Sequence, residues 1–173
     1  CLSLPFTVSK ENVFKNCSEL KIVNFSDNSN LQIIESNSFS KSSIESIKIP
    51  PSVKTIGEQS FASCRFLKQI EIPIDSELQI IGNSAFIDSS ISSISLPVHL
   101  KKIDKCAFYS CKNLKTVTIP KNSELQEIGE NTFGNSSIRE LKIPSQVTEI
   151  KSGTFSFCKE LQAVYFSSDS KLK

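Results

Sequence analysis

A double repeat of 47 residues constrains this chain more than any other feature. Cys17, Cys64, Cys111 and Cys158 are each 47 apart. So are Phe14, Phe61, Phe108 and Phe155, and a second set, Phe39, Phe86 and Phe133. Each period holds two units, whose first apolar residues are Leu20, Ile44, Leu67, Ile91, Leu114, Ile138 and Leu161, in alternating steps of 24 and 23. Chance does not hold register over three double periods. A segment of this length cannot bury its own apolar edge, so the units must stack and share one core.

Each unit has one plan. A short alternating stretch opens it, as in Ile47-Lys48-Ile49, Ile70-Glu71-Ile72 and Val117-Thr118-Ile119. Alternation is the period of a half-buried strand, and β-branched and aliphatic residues suit a pleated surface. Proline follows at once (Pro50, Pro73, Pro97, Pro120, Pro144). It lacks an N–H and ends the ladder at the same place in every unit. Equivalent strands in successive units must run parallel, about 4.8 Å apart.

A polar turn then leads to two inward anchors: Val53 and Ile56, Leu78 and Ile81, Leu100 and Ile103, Leu125 and Ile128, Val147 and Ile150. Gly57, Gly82 and Gly129 follow the second anchor, where a bend with positive φ is expected. A Phe comes five residues after the second anchor and is expected to form a spine on the far wall. The return arm should be irregular, with short strands or single 3-10 turns, because its segments are too short for stable helices. The fold class is therefore a solenoid. One domain is expected over residues 1–173, about seven units long, with an incomplete first and last unit.

The cysteines read as thiols. Members of the 47-residue series should lie about 9.6 Å apart, twice the strand spacing, whereas a disulfide needs Cα atoms within about 7 Å. A ladder of buried free thiols is expected at Cys17, Cys64, Cys111 and Cys158. Cys106 aligns with the polar Gln59 and should be more exposed, and Cys1 could pair outside this segment. Zinc would need four clustered ligands, and His99 is the only histidine. No metal and no cofactor are expected.

The pattern L-x-x-I-x-I-P-x-x-V-x-x-I-G-x-x-x-F-x-x-C, carried by Ile44 to Cys64 and by Ile138 to Cys158, resembles the leucine-rich repeats of BspA-like surface proteins of bacteria and protist parasites. The resemblance covers almost the whole chain. It implies a leucine-rich repeat solenoid, of the α/β class by convention, with a curved parallel β-sheet on the concave side. It further implies cell-surface or extracellular display and adhesion to host cells, matrix proteins or other microbes. The family has no catalytic motif and no positionally fixed ligand residues to carry over. Phe25 and Phe166 depart from its pattern, each standing where Ile is usual and neither followed by Pro.

Composition narrows the function further. Net charge is +2 and charged residues are 22%, so no strong overall field favours nucleic acid. No run of 18 apolar residues exists to span a bilayer. The chain has no Met, even at position 1; it is expected to be a processed form or an excised segment, with targeting signals elsewhere. No G-x-S-x-G, paired His motif or Gly-rich phosphate loop is present, and His99 falls in a turn. No catalytic residue is assigned.

Binding is expected on the sheet. Outward positions of a strand ladder line up in rows: Asn24, Lys48, Glu71, Ser95, Thr118, Lys142 and Tyr165 form one, and Ile22, Ser46, Gln69, Ser93, Thr116, Glu140 and Ala163 the other. The expected partner is a protein of the host cell surface or extracellular matrix. The alternatives are a structural scaffold that self-associates through the solenoid ends, and an intracellular interaction adaptor. Of three N-x-S/T sequons, at Asn16, Asn24 and Asn135, the last lies in a loop and is the candidate for glycosylation.

Overall fold

The computed structural model describes residues 3–4, 11–26 and 28–173. Cys1 lies outside them. In chain order the strands are β1 (Ser3–Leu4), β2 (Ile22–Phe25), β3 (Ile33–Ile34), β4 (Ser46–Lys48), β5 (Thr55–Ile56), β6 (Gln69–Glu71), β7 (Ile80–Ile81), β8 (Ser93–Ser95), β9 (Lys102–Ile103), β10 (Thr116–Thr118), β11 (Glu127–Ile128), β12 (Glu140–Ile143), β13 (Glu149–Ile150) and β14 (Ala163–Phe166). The described residues contain no helix.

All pairing is parallel and between neighbouring units. The first wall carries β1-β2-β4-β6, then β8-β10, then β12-β14. The strands start one residue earlier than the alternation suggests, at Ser46 rather than Ile47. The reason is proline. Ile49 still donates to the Glu71 carbonyl at 2.8 Å, but Pro50 offers no N–H to continue the ladder. In β2 and β14, which no Pro follows, pairing runs on to Phe25 and Phe166, opposite Leu4 and Ile143, the last residues before Pro5 and Pro144.

The second wall is more regular than its sequence suggests. It is one six-stranded ladder of two-residue strands, β3-β5-β7-β9-β11-β13. Its inward residues, Ile34, Ile56, Ile81, Ile103 and Ile128, are fully buried. Short strands, not 3-10 turns, carry the return arm.

The third wall is built on the phenylalanines. Phe14, Phe39, Phe61, Phe86, Phe108, Phe133 and Phe155 stack face to face with centroids 5.1–6.0 Å apart. Each large buried side chain contributes roughly 1.5–3 kcal/mol. The flanking backbone is unusual. Two residues before and two after each Phe, φ is positive: Asn12 and Asn16, Asn37 and Lys41, Gln59 and Ser63, Ser84 and Asp88, Cys106 and Ser110, Asn131 and Asn135, Gly153 and Phe157. Alternate N–H groups here point to the next unit, while those between them close turns within their own unit, as Ser60 and Ala62 do on the Gly57 and Gln59 carbonyls. Each spine Phe from Phe14 to Phe133, with its two flanking residues, donates to three carbonyls of the next unit, as Gln59, Phe61 and Ser63 do to Asn83, Ala85 and Ile87 at 2.7–2.9 Å.

The glycines therefore need correction. Gly57, Gly82 and Gly129 do not have positive φ; among the glycines only Gly153 does. Their requirement is space. A Cβ on Gly57 would lie 2.7 Å from the Ile34 carbonyl oxygen, and one on Gly129 would lie 2.7 Å from the Lys105 nitrogen.

Candidate interaction surface

The two expected rows exist as geometry on the first wall. Ile22 pairs with Ser46, Ser46 with Gln69 and Lys48 with Glu71. Ser93 pairs with Thr116 and Ser95 with Thr118, and Glu140 pairs with Ala163 and Lys142 with Tyr165. Every residue of the two rows is exposed except the half-buried Ala163. Between the rows, Ile47, Ile70, Ile94, Val117 and Leu141 point inward and are buried.

The rows do not form one uniform floor. Strand pairing is interrupted between β6 and β8 and between β10 and β12. A trough of about 480 Å³ covers Ile22, Asn24, Ser46, Lys48, Gln69, Glu71 and Ser95. A second, of about 600 Å³, covers Thr116, Thr118, Arg139, Glu140, Lys142 and Tyr165. The predicted residues are thus divided between two shallow depressions. Lys48 and Glu71 form a salt bridge of 3.5 Å in the first, both about two-thirds exposed. Ile22 at 58% and Tyr165 at 50% exposure stand one in each trough.

The thiol column has a partner column that the sequence reading missed. The Cys64 thiol donates to the Phe39 carbonyl of the preceding unit at 3.0 Å, and Ser42 Oγ lies 3.7 Å from its Sγ. Cys111 repeats this with Phe86 and Ser89, and Cys158 with Phe133 and Ser136. Ser42, Ser89 and Ser136 are themselves 47 apart, a signal available in the sequence. Burial pushes the Cys64 thiol up to about 11 and the Cys111 thiol up to about 12. The expectation of four buried thiols needs correction at the ends: Cys17 and Cys158 are half-buried, having fewer units packed over them. Cys106 is half-buried too, and burial also raises its thiol. All five described cysteines are free.

The remaining candidates carry no assembled chemistry. His99 is exposed, with Nδ1 3.0 Å from Glu124 Oε1. Among the described residues no three His, Cys, Asp or Glu side chains cluster as metal ligands, and no helix is long and apolar enough to cross a membrane. Asn135 is half-buried in the Phe wall; its Nδ2 donates to Ser110 Oγ at 2.9 Å, and the hydroxyl of Ser137 donates to the Lys112 carbonyl at 2.8 Å.

Comparison with known proteins settles what this architecture is. The BspA type Leucine rich repeat region matches residues 3–97 and 79–172, in six copies. The chain belongs to the BspA-type leucine-rich repeat family. Repeats of this family are generally non-enzymatic, and leucine-rich repeats generally bind proteins. No curated protein matches by sequence. Solved leucine-rich repeat structures are similar in fold. A leucine-rich repeat protein from Bacteroides ovatus is 23% identical over 91% of this chain, with a TM-score of 0.66. The T. pallidum Leucine Rich Repeat protein is 25% identical over 84% of the chain, with a TM-score of 0.72. A leucine rich cell surface protein from Faecalibacterium prausnitzii is 24% identical over 81%, with a TM-score of 0.54. The chain spans 52%, 68% and 43% of those three proteins, about half the length of the first.

Proposed function

We propose that this chain is a non-catalytic recognition and adhesion module, displayed at a cell surface, that binds a host or matrix protein through the face of its first wall. The observation that carries this reading is the register of that wall. Asn24, Lys48, Glu71, Ser95, Thr118, Lys142 and Tyr165 are exposed. The ladder beneath is fixed by backbone hydrogen bonds, so these side chains are held at repeat spacing without further ordering. Gln69 and Glu140 extend the surface in the adjacent row. Exposed aromatic residues such as Tyr165 are enriched at protein interfaces. The Faecalibacterium protein of the same fold is described as a cell-surface protein, and surface display of this chain is part of the proposal. The buried thiols carry no weight for a reducing compartment, since raised pKa values and burial make them inert.

The test is a cell- and matrix-protein binding screen with the chain and its Lys48→Ala/Glu71→Ala/Lys142→Ala variant. Loss of binding in the folded variant supports the sheet face. Unchanged binding removes it.

A second reading is favoured by one observation: Phe157 is 73% and Phe166 51% exposed in the last described unit. These aromatics would cover one another or the first unit of another copy if the solenoid self-associates. Light scattering across a concentration range separates the two readings, a monomer throughout leaving only the first.

A further inference from the structure

The net charge of +2 conceals an uneven distribution. The corner joining the Phe wall to the first wall comprises residues 15–21, 40–45, 62–68, 87–92, 109–115, 134–139 and 156–162. These segments contain nine of the chain's twenty Lys and Arg but four of its eighteen Asp and Glu, all of them exposed.

The corners also alternate in length, and the difference is where the charge sits. Phe39 is five residues from Ile44, whereas Phe61 is six from Leu67. The additional residue of each longer corner directly follows the Cys; it is Ser18 in the first and a cation, Arg65, Lys112 or Lys159, in the other three. A second cation follows three residues later in two of these, Lys68 and Lys115, and Lys21 holds that position in the first. Backbone contacts keep the corners aligned: Ser90 N donates to the Cys64 carbonyl at 3.3 Å and Lys115 N to the Ser92 carbonyl at 3.0 Å.

Most acidic partners are placed elsewhere; in the corner, the Glu160 carboxyl is held below its ordinary pKa by Arg139, to which it is bonded, and more weakly by Lys115. Of nine salt bridges among the described residues, only Arg139–Glu160 lies in the corner. Lys102 and Lys151, on the second wall, each reach Glu127 and a second acid, Asp104 and Glu149 respectively. None of Lys21, Arg65, Lys68, Lys112, Lys115 and Lys159 is in a salt bridge. The two cation pairs, Arg65/Lys68 and Lys112/Lys115, stand two units apart, about 9.6 Å, and Lys21 and Lys159 extend the series by one cation at either end. The screening length at physiological salt is about 8 Å, so each pair acts nearly alone on a small anion. A ligand gains substantially only by engaging several pairs at once.

We propose that this edge binds a linear anionic polysaccharide, sulfated or carboxylated, lying along the solenoid axis. Small polar side chains such as Ser63, Ser110 and Asn113 lie among the cations, and hydroxyl and amide groups suit sugar hydroxyls. Single-stranded nucleic acid would call for repeated aromatic platforms. The longer corners offer one at this position, Phe66, which is 56% exposed, against Glu19, Asn113 and Glu160 in the others. A membrane surface would call for a continuous apolar face beside the cations, which the edge lacks. The corner borders the sheet face, Lys115 and Arg139 also lining the second trough, but the residues changed in the sheet-face variant and in the corner variant do not overlap, so the two readings fail separately.

The experiment measures binding of the whole chain to heparin at about 150 mM NaCl, with single-stranded DNA, neutral dextran and phosphatidylserine vesicles in parallel. The corner variant is Arg65→Glu/Lys68→Glu/Lys112→Glu/Lys115→Glu. The control, Lys101→Glu/Lys121→Glu/Lys171→Glu/Lys173→Glu, changes net charge equally at exposed positions outside the corner. Heparin is expected to be the preferred ligand, with affinity falling at least about tenfold in the corner variant, less than about twofold in the control, and steeply with salt. The corresponding Gln variant, folded by thermal melt, should shift in the same direction and decides the matter if the Glu variant unfolds. No heparin binding, equal loss in corner and control variants, or tighter binding to DNA or vesicles would each overturn the proposal.

Discussion

The thiol of Cys111 donates a hydrogen bond to the carbonyl oxygen of Phe86, 3.0 Å away across one unit boundary. Ser89 Oγ approaches the same sulfur at 3.4 Å. The contact ties the thiol column to the Phe spine, so cysteine chemistry reports directly on packing.

In the native state Cys64 and Cys111 should resist alkylation, while the partly covered Cys17, Cys106 and Cys158 should react first. Mass-spectrometric mapping after iodoacetamide gives the order, and denaturant should equalise the rates. Faster labelling of Cys111 than of Cys106 would mean the spine opens before the Phe wall's edge does.

Stability should fall as the solution becomes alkaline. The folded thiols titrate near 11 and 12 and the unfolded ones near 9. Between pH 9 and 11 the unfolded chain therefore binds fewer protons, and stability declines by up to about 1.4 kcal/mol per pH unit for each buried thiol. Below pH 9 these groups contribute no slope. Urea melts at pH 8 and 10 test this, and Cys64→Ala/Cys111→Ala should flatten the dependence.

Two substitutions two residues apart should have opposite signs. Gly57→Ala forces a methyl against the Ile34 carbonyl and should cost about 1–3 kcal/mol. Gln59 holds φ at 51°, so Gln59→Gly should be neutral or stabilising by up to about 1 kcal/mol. Thermal melts of both variants check the pair.

Position along the spine should set the cost of removing a ring. Phe86 is fully buried between two neighbours, and Phe86→Ala should cost about 3–5 kcal/mol. Phe155, half-buried and stacked on one side, should cost less. Equal losses in denaturant melts would contradict a nearest-neighbour stack.

The sheet-face variant Lys48→Ala/Glu71→Ala/Lys142→Ala should melt within about 1 kcal/mol of the parent, because the Lys48–Glu71 pair is exposed. Circular dichroism melts establish this before any binding assay is interpreted.

The walls and the core were legible because they obey single-residue rules repeated seven times. Pro50 and its equivalents mark strand ends, Ile and Leu mark the inside, and the 47-residue Phe series marks the spine. The glycines were not legible, since Gly serves both positive φ and close approach and the sequence does not say which. The left-handed positions left a trace in Asn12, Asn16, Asn37, Asn131 and Asn135, a residue type that tolerates this region, but Gln59, Lys41 and Phe157 hide the rule. The binding rows could be aligned from sequence. Their division into two troughs could not: it falls between β8 and β10, where the strands are paired, and no residue type marks it.

The Phe wall has an electrical sense as well as a mechanical one. In each unit, alternate peptide groups point their N–H toward the next unit and their C=O toward the previous one, three per turn and across six junctions. Peptide dipoles of about 3.5 D aligned in this way add along an axis as they do in a helix. Here the axis is that of the whole solenoid, crossing seven units instead of following one segment. Its positive pole lies at Gly153, Phe155 and Phe157, and its negative pole at the turn around Phe14. The described residues, among which there is no helix, thus acquire a macrodipole as long as their own stack.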